Sequence, residues 1–344
     1  MTLPKCIDIF YNHLLSNPLN PKAAELVKEA FHDDWNTRPN PLDPVGGGKF
    51  GDNWPGSPAL PMVLGMWGTQ IKDLKFEIMV HADCGNGKHA LVSKCSGTCT
   101  GETPEGMPHF LGLDPEVMKG KSFVSIAIDL QIVVDGKIKQ SYHCEDWSDV
   151  ASQVAGGRTA PTLLEHVDYH KAGATLTEVP KCIDIFYDEL LSNPTNPKSA
   201  ELVKEAFHDD WNTRPNPLDP SGGGKLGENW PGAPALPMVL GLWGTQIKDL
   251  KFKRIHTLLC GDKVAVVSKA SGTCTGETLE NMPHFLGLDS ATLKGKSFEC
   301  IAIDVQRIVD GKIKQSYHLE DWNDAKAQVK DGRGAPVLEH PELP

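Results

Sequence analysis

Residues 122–147 read SFVSIAIDLQIVVDGKIKQSYHCEDW, and residues 297–322 read SFECIAIDVQRIVDGKIKQSYHLEDW. In each stretch two alternating, β-branched-rich runs, Ser122 to Val133 and Lys137 to Trp147 in the first, are joined by Asp135-Gly136 or its copy. Asp-Gly between such runs is a strong short-range hairpin signal, because the favoured two-residue turn needs positive φ at both central positions. The hairpin predicts an antiparallel sheet, and its recurrence 175 residues later predicts a duplication.

Outward from the hairpin the copies continue in both directions. PKCIDIFY begins at Pro4 and Pro180, and EAFHDDWNTRPNPLDP at Glu29 and Glu205, 176 residues apart. The offset becomes 175 after the CGNGK/CGDK turn, where Asn86-Gly87 faces the single Asp262, and GTCTGE (Gly97, Gly272) and MPHFLGLD (Met107, Met282) keep it. The copies are roughly three-quarters identical, and a period this long makes each copy a whole domain rather than a solenoid unit. The expected division is a first domain over 1–155, a connecting segment over 156–177 and a second domain over 178–344, the tandem forming an intrachain pseudo-dimer. Association of whole chains into a homo-oligomer stays open. PTLLEH and APVLEH follow the two copies, so each segment is expected to dock on its own domain. The copies diverge from Ile78 to Val92, where two otherwise similar pockets would come to differ.

Before the hairpin, Lys5 to Leu15 reads as a helix that ends at Ser16-Asn17-Pro18. Asn20-Pro21 opens a second helix with Ala23, Leu26, Val27, Ala30 and Phe31 on one face, running out near Asp33. His32 and His208 then fall at a helix end, where a helix dipole favours the imidazolium, and no second cluster with metal-ligand spacing accompanies them. Thr37 to Gly56 is rich in Pro and Gly and reads as loop; its GGGK lacks the full phosphate-loop pattern. Ser57-Pro58 opens a third helix through Leu60, Val63, Leu64, Trp67 and Ile71. Strands at Leu74 to His81 and His89 to Thr100 precede the hairpin, giving four, and a short helix from about Ser148 closes the copy. Helices first and an antiparallel meander after them make an α+β domain with helices on one face of a curved sheet enclosing a pocket.

The net charge of −11 repels nucleic acid and anionic lipid. No apolar run is long enough to cross a bilayer, and MTLPKCIDIF lacks a basic segment followed by an apolar run. Nine cysteines without CxxC spacing point to free thiols in a reducing compartment, so a cytoplasmic protein is expected.

The order of motifs resembles the SnoaL-like polyketide cyclase family, of the NTF2-like cone-shaped α+β fold, over nearly all of each copy. GTCTGE is similar to that family's GTHTGE strand, IAIDLQIVVDGKI to its penultimate strand and turn, and SYHCEDW to its closing strand; HDDW and KDLKFE agree more weakly. The resemblance implies a hydrophobic polyketide-like substrate, no metal or organic cofactor, and ring closure by an aldol step. An aspartate of the last strand there takes a proton from carbon and returns it to the alkoxide. By position that aspartate is Asp146, and Asp321 in the second copy. Three family positions differ: Cys99 and Cys274 replace the histidine of GTHTGE, Tyr142 and Tyr317 replace the closing-strand tryptophan, and Gln131 and Gln306 stand where an imidazole partner is expected.

Alternation along the closing strand puts Ile138, Gln140, Tyr142, Cys144 and Asp146 on one face, with Lys139, Ser141, His143, Glu145 and Trp147 on the other. Only one of Asp146 and Glu145 lines the pocket. The first face is the more apolar, which favours Asp146 with Tyr142 beside it and turns His143 and His318 away. The competing role for Asp146 and Asp321 is to cap the helix that follows. Trp35, Trp211, Trp67 and Trp243 are expected to line the cavity or to anchor the Pro-rich loop. Cys99 and Cys274 read as packed thiols rather than nucleophiles. His109 and His284 sit on an inserted loop able to cover the pocket mouth. Dehydration, double-bond isomerisation, epoxide hydrolysis and non-catalytic ligand binding remain alternative functions on the same cone.

Overall fold

In the computed structural model, Asp135 and Gly136 take φ of 48° and 77°, the left-handed values a two-residue hairpin turn demands, and the strands they join pair antiparallel. The structure describes residues 2–39, 56–107, 109–156, 165–166, 168–214 and 232–340. The triple glycine at 46–48 and Trp54 lie outside these. The chain divides into Met1–Pro161 with Val337–Pro344, and Thr162–Pro336.

The first unit opens with α1 (Lys5–Asp8), which continues as a wider π-helical turn over Ile9–Leu15, and then α2 (Ala23–Ala30). After β1 (Phe31–Arg38) come α3 (Leu60–Gln70), β2 (Ile71–Asp83) and β3 (Lys88–Cys99). A short α4 (Pro115–Met118) precedes β4 (Ser122–Val134), β5 (Lys137–Glu145) and α5 (Trp147–Val154). The sheet order is β1-β5-β4-β3-β2, with β1 parallel to β5 and the other pairs antiparallel. One apolar core joins Ile7, Phe10, Leu14 and Val27 of the helices to Phe76, Leu91, Cys95 and Ala127 of the sheet. This is the expected α+β layering.

The second unit repeats it with α6 (Lys181–Asp184), a π-helical Ile185–Leu191, α7 (Ser199–Ala206), β6 (Phe207–Arg214) and α8 (Leu236–Gln246). Then follow β7 (Ile247–Cys260), β8 (Lys263–Cys274), α9 (Ser290–Leu293), β9 (Ser297–Val309), β10 (Lys312–Glu320) and α10 (Trp322–Asp331). Its order is β6-β10-β9-β8-β7. Among the described residues no helix is long and apolar enough to cross a membrane.

Three sequence expectations are corrected. Each sheet has five strands, not four: FHDDWNTR, read as a helix end running into loop, forms β1 and β6. Its residues carry no period-two apolar pattern, and the strand exists because it pairs in parallel with the closing strand. His32 therefore sits on a strand, its Nε2 2.9 Å from the Val134 carbonyl oxygen.

The Leu-Glu-His segments also dock differently. His340, which follows the second repeat in sequence, belongs to the first unit, where its Nε2 lies 2.8 Å from the Ser141 carbonyl oxygen and its ring meets Tyr142 edge-on at 4.6 Å. His166 belongs to the second unit: its ring lies 2.6 Å from the Ser316 carbonyl oxygen and its amide donates to the Tyr317 hydroxyl. Segments and receiving strands are near-copies in the two repeats, so residue chemistry alone does not distinguish a repeat's own segment from the other's.

Finally, seven cysteines are free and buried, but Cys84 and Cys260 are not free thiols, which corrects the expectation for those two.

Candidate functional site

The closing strand decides which side chains face the helices, and a β-bulge decides the closing strand. Ile138 pairs with Val133 and Gln140 with Ile132, so Lys139 is an extra residue with no opposite number. The same shift lies between Ile313 and Gln315 in β10. A bulge reverses the alternation beyond it. Ile138 consequently points into the core, and after the bulge Ser141, His143 and Glu145 point there too, in register with Gln131, Asp129 and Ala127 of β4. The face chosen from simple alternation is thus inverted.

On this inner face a chain of polar groups runs through the apolar core. The Tyr11 hydroxyl donates to Asp129 Oδ2 at 2.6 Å, and His143 Nδ1 lies 2.6 Å from Asp129 Oδ1. On the other side of the ring, His143 Nε2 lies 3.0 Å from Glu145 Oε2, close enough for ion pairing though out of line for a hydrogen bond. The Ser141 hydroxyl donates to Gln131 Oε1 at 2.5 Å and accepts from Trp35 Nε1 at 2.9 Å.

The second unit reproduces every member. Tyr187 donates to Asp304 at 2.6 Å, and His318 is bonded to Asp304 through Nδ1 with Glu320 2.7 Å from its Nε2. Gln306 donates to Asp304 at 3.2 Å, and Trp211 donates to the Ser316 hydroxyl at 2.7 Å.

Burial opposes charge on His143, but the flanking carboxylates of Asp129 and Glu145 outweigh it and hold the imidazole well above its ordinary pKa. In the second unit burial is likewise overcome, by Glu320 and Asp304 around His318. Burial pushes the Glu145 carboxyl up, against the pull of His143. Tyr11 and Tyr187 are raised well above 10 by burial and then by the facing aspartate, so each phenol stays protonated and donates. The resting cluster is an imidazolium clamped between two acidic groups.

In the second unit this chain meets a cavity. Phe186, Leu236, Val239, Trp211 and Trp243 form its apolar wall; Asp304, Gln306, Ser316 and His318 form its polar wall. Its free volume is about 10 Å³, room for one water. The indole Nε1 of Trp243 is buried without a hydrogen-bond partner, as is that of Trp67 in the first unit.

The sequence candidates divide sharply. Gln306, Trp211 and Trp243 line the cavity, and in the first unit Gln131 and Trp35 hold the matching positions in the polar chain. Trp67 packs edge-on against Trp147. Asp321 is not among the cavity residues, and both Asp146 and Asp321 cap the following helix, α5 and α10, accepting from the Asp149 and Asp324 amides at 3.0 Å. Tyr142 and Tyr317 point to the opposite face of the sheet, where His340 and His166 meet them. Cys99 and Cys274 are packed thiols pushed up to about 11 by burial, too protonated to act as nucleophiles. His109 is exposed and bonded to Thr103, whereas His284 is partly buried with its Nδ1 unpartnered and is not among the cavity residues.

The residues that sequence reasoning missed are Tyr11 and Asp129 with their copies, while His143 and Glu145 with theirs were weighed and assigned to the wrong face. One signal was available: Asp129 is the single charge inside the apolar run IAIDLQIVV, and Asp304 shares IAIDVQRIV with Arg307 alone. A carboxylate there must be buried with partners. Among the described residues no three His, Cys, Asp or Glu side chains converge as a metal site.

Residues 239–329 match the family model described as SnoaL-like polyketide cyclase. Solved structures with similarity include TsrD from Streptomyces laurentii, 18% identical, covering 43% of this chain and 92% of that one, with a TM-score of 0.33. A SnoaL-like polyketide cyclase from Agrobacterium tumefaciens is 14% identical over 43% of this chain and 97% of its own, with a TM-score of 0.31. An LEH-like epoxide hydrolase from M. tuberculosis is 12% identical over 44% and 89%, with a TM-score of 0.30. No curated protein sequence matches. The chain is a tandem duplication, and the second copy carries the SnoaL-like match at 239–329, residues that recur as a near-copy in the first repeat.

Proposed function

We propose that each unit is a cofactor-independent acid–base catalyst acting on an apolar, carbonyl-bearing small molecule of polyketide type. The observation that carries this reading is the Tyr–Asp–His–Glu chain, present in both units, whose Asp304 and His318 line a cavity with one apolar wall in the second. Carbon-acid chemistry needs a base beside a carbon flanked by carbonyls, a donor where enolate charge develops, and an acid for the new alkoxide. In the second unit the Asp304 carboxylate takes the proton from carbon. The unpartnered Trp243 N–H serves the carbonyl oxygen, and the His318 imidazolium gives its proton to the alkoxide. Glu320 keeps the ring charged, and Tyr187 fixes Asp304. Asp129, His143, Glu145 and Tyr11 take the same parts in the first unit. The acid–base role thereby moves from Asp146 and Asp321, which keep the capping role.

A second reading, ligand binding without turnover, is favoured by the cavity's size: a ligand larger than water enters only when lining side chains move.

Deuterium uptake at the methylene of a panel of β-keto esters, followed by NMR with the full chain, tests the proposal. The Asp129→Asn/Asp304→Asn double variant should slow exchange by about 100-fold or more. Equal rates in variant and wild type end the assignment of the base. Binding of the panel without exchange in the wild type supports the second reading.

A further inference from the structure

The hairpin β2–β3 of the first unit brings two imidazoles face to face. Nε2 of His81 lies 3.2 Å from Nδ1 of His89, with ring centroids 5.3 Å apart and planes inclined by 35°. Asp83 stands opposite His89 and Leu91 opposite His81, and Leu91 is in turn opposite Asp129, so both rings are on the inner face of the sheet.

The second repeat shows that the hairpin does not require this pair. There Thr257, Leu259 and Val264 hold the places of His81, Asp83 and His89, with the same pairing of Leu259 to Val264. Two histidines and an aspartate stand where the copy of the same strand pair carries one hydroxyl and two apolar side chains. His89 is only 8% exposed.

The separation has a chemical meaning beyond packing. Two imidazole nitrogens bound at 2.0–2.1 Å to one tetrahedral ion stand about 3.3 Å apart, close to the distance found here. The Asp83 carboxylate acts on both rings with a negative charge.

We propose that His81 and His89 form a two-imidazole site for a divalent d-block cation of the Zn²⁺ or Cu²⁺ type, with solvent completing the coordination. Without an ion, one facing nitrogen carries a proton and donates to the other. Binding moves that proton to the far nitrogen of its ring, so that Nε2 of His81 and Nδ1 of His89 both present lone pairs. Imidazole ligation favours Zn²⁺, Cu²⁺ and Ni²⁺ over Mg²⁺ and Ca²⁺, which prefer oxygen.

The test titrates the full metal-free chain with ZnCl₂ by calorimetry and with CuSO₄ by electron paramagnetic resonance, beside the His81→Thr/His89→Val variant. These replacements are the residues of the second repeat, and His89→Gln serves as a second variant that keeps a polar group. The wild type should take up one equivalent per chain that both variants lose or bind roughly tenfold more weakly, with nitrogen hyperfine structure from two imidazoles in the copper spectrum. Identical titrations for all three proteins, or Mg²⁺ competing as well as Zn²⁺, would overturn the proposal and leave the pair as an ordinary hydrogen bond.

Discussion

His143 holds Asp129 across two adjacent strands, Nδ1 to Oδ1 at 2.6 Å, and so binds a proton more tightly in the folded chain than in the unfolded one. A histidine with a folded pKa above its unfolded value of about 6.5 stabilises fully below that value. The contribution is lost as pH rises through the folded pKa, above neutrality. His318 obeys the same sign. His143→Gln/His318→Gln should therefore cost about 3–5 kcal/mol per unit at pH 6, because two buried acidic groups lose their counter-charge. The gap to wild type should narrow toward pH 9. Urea unfolding at the two pH values measures it, and a pH-independent gap would contradict the raised imidazole pKa.

The phenols give a simpler case. Tyr187 is fully buried and its hydroxyl bond to Asp304 is 2.6 Å long, so Tyr187→Phe removes one charge-assisted hydrogen bond and little else. The expected loss is about 1.5–3 kcal/mol. Tyr11→Phe should match it in the first unit. In the wild type, ultraviolet titration should show neither phenol ionising before the protein unfolds in alkali. Ionisation of either at its ordinary pKa of about 10 would mean the hydroxyl is open to solvent.

How far the sequence carried this picture turns on Lys139 and Lys314. The duplication, the α+β class and the Asp135-Gly136 hairpin follow from period, order and turn chemistry, all local properties of the chain. The inner face of the closing strand does not, because a single bulged residue reverses the alternation and no residue type at 139 announces it. With the parity reversed, Tyr142 and Asp146 were favoured over His143 and Glu145. Strand β1 was hidden for a different reason: FHDDWNTR becomes a strand only through its pairing with Gln140, Ser141 and Tyr142, a partner more than a hundred residues away. Trp35 and Trp211 lie where β1 and β6 themselves shift register, so their place against the core follows from aromatic bulk and not from alternation.

The segment after each repeat offers a prediction that separates connectivity from resemblance. Leu338 is 3% exposed and His340 bonds the Ser141 carbonyl oxygen, and both belong to the first unit although they follow the second repeat. Leu338→Ala removes buried methyl groups and should cost about 2–5 kcal/mol. That loss should fall on the unit built from the N-terminal residues. Hydrogen exchange resolves it: deleting residues 337–344 should speed exchange at Ser141 and Tyr142, while Ser316 and Tyr317, bonded instead to His166, keep their protection. His166→Ala should do the reverse. If the deletion loosened Ser316 and Tyr317 and spared Ser141 and Tyr142, each segment would be docking on its own repeat, and the exchanged arrangement would be wrong.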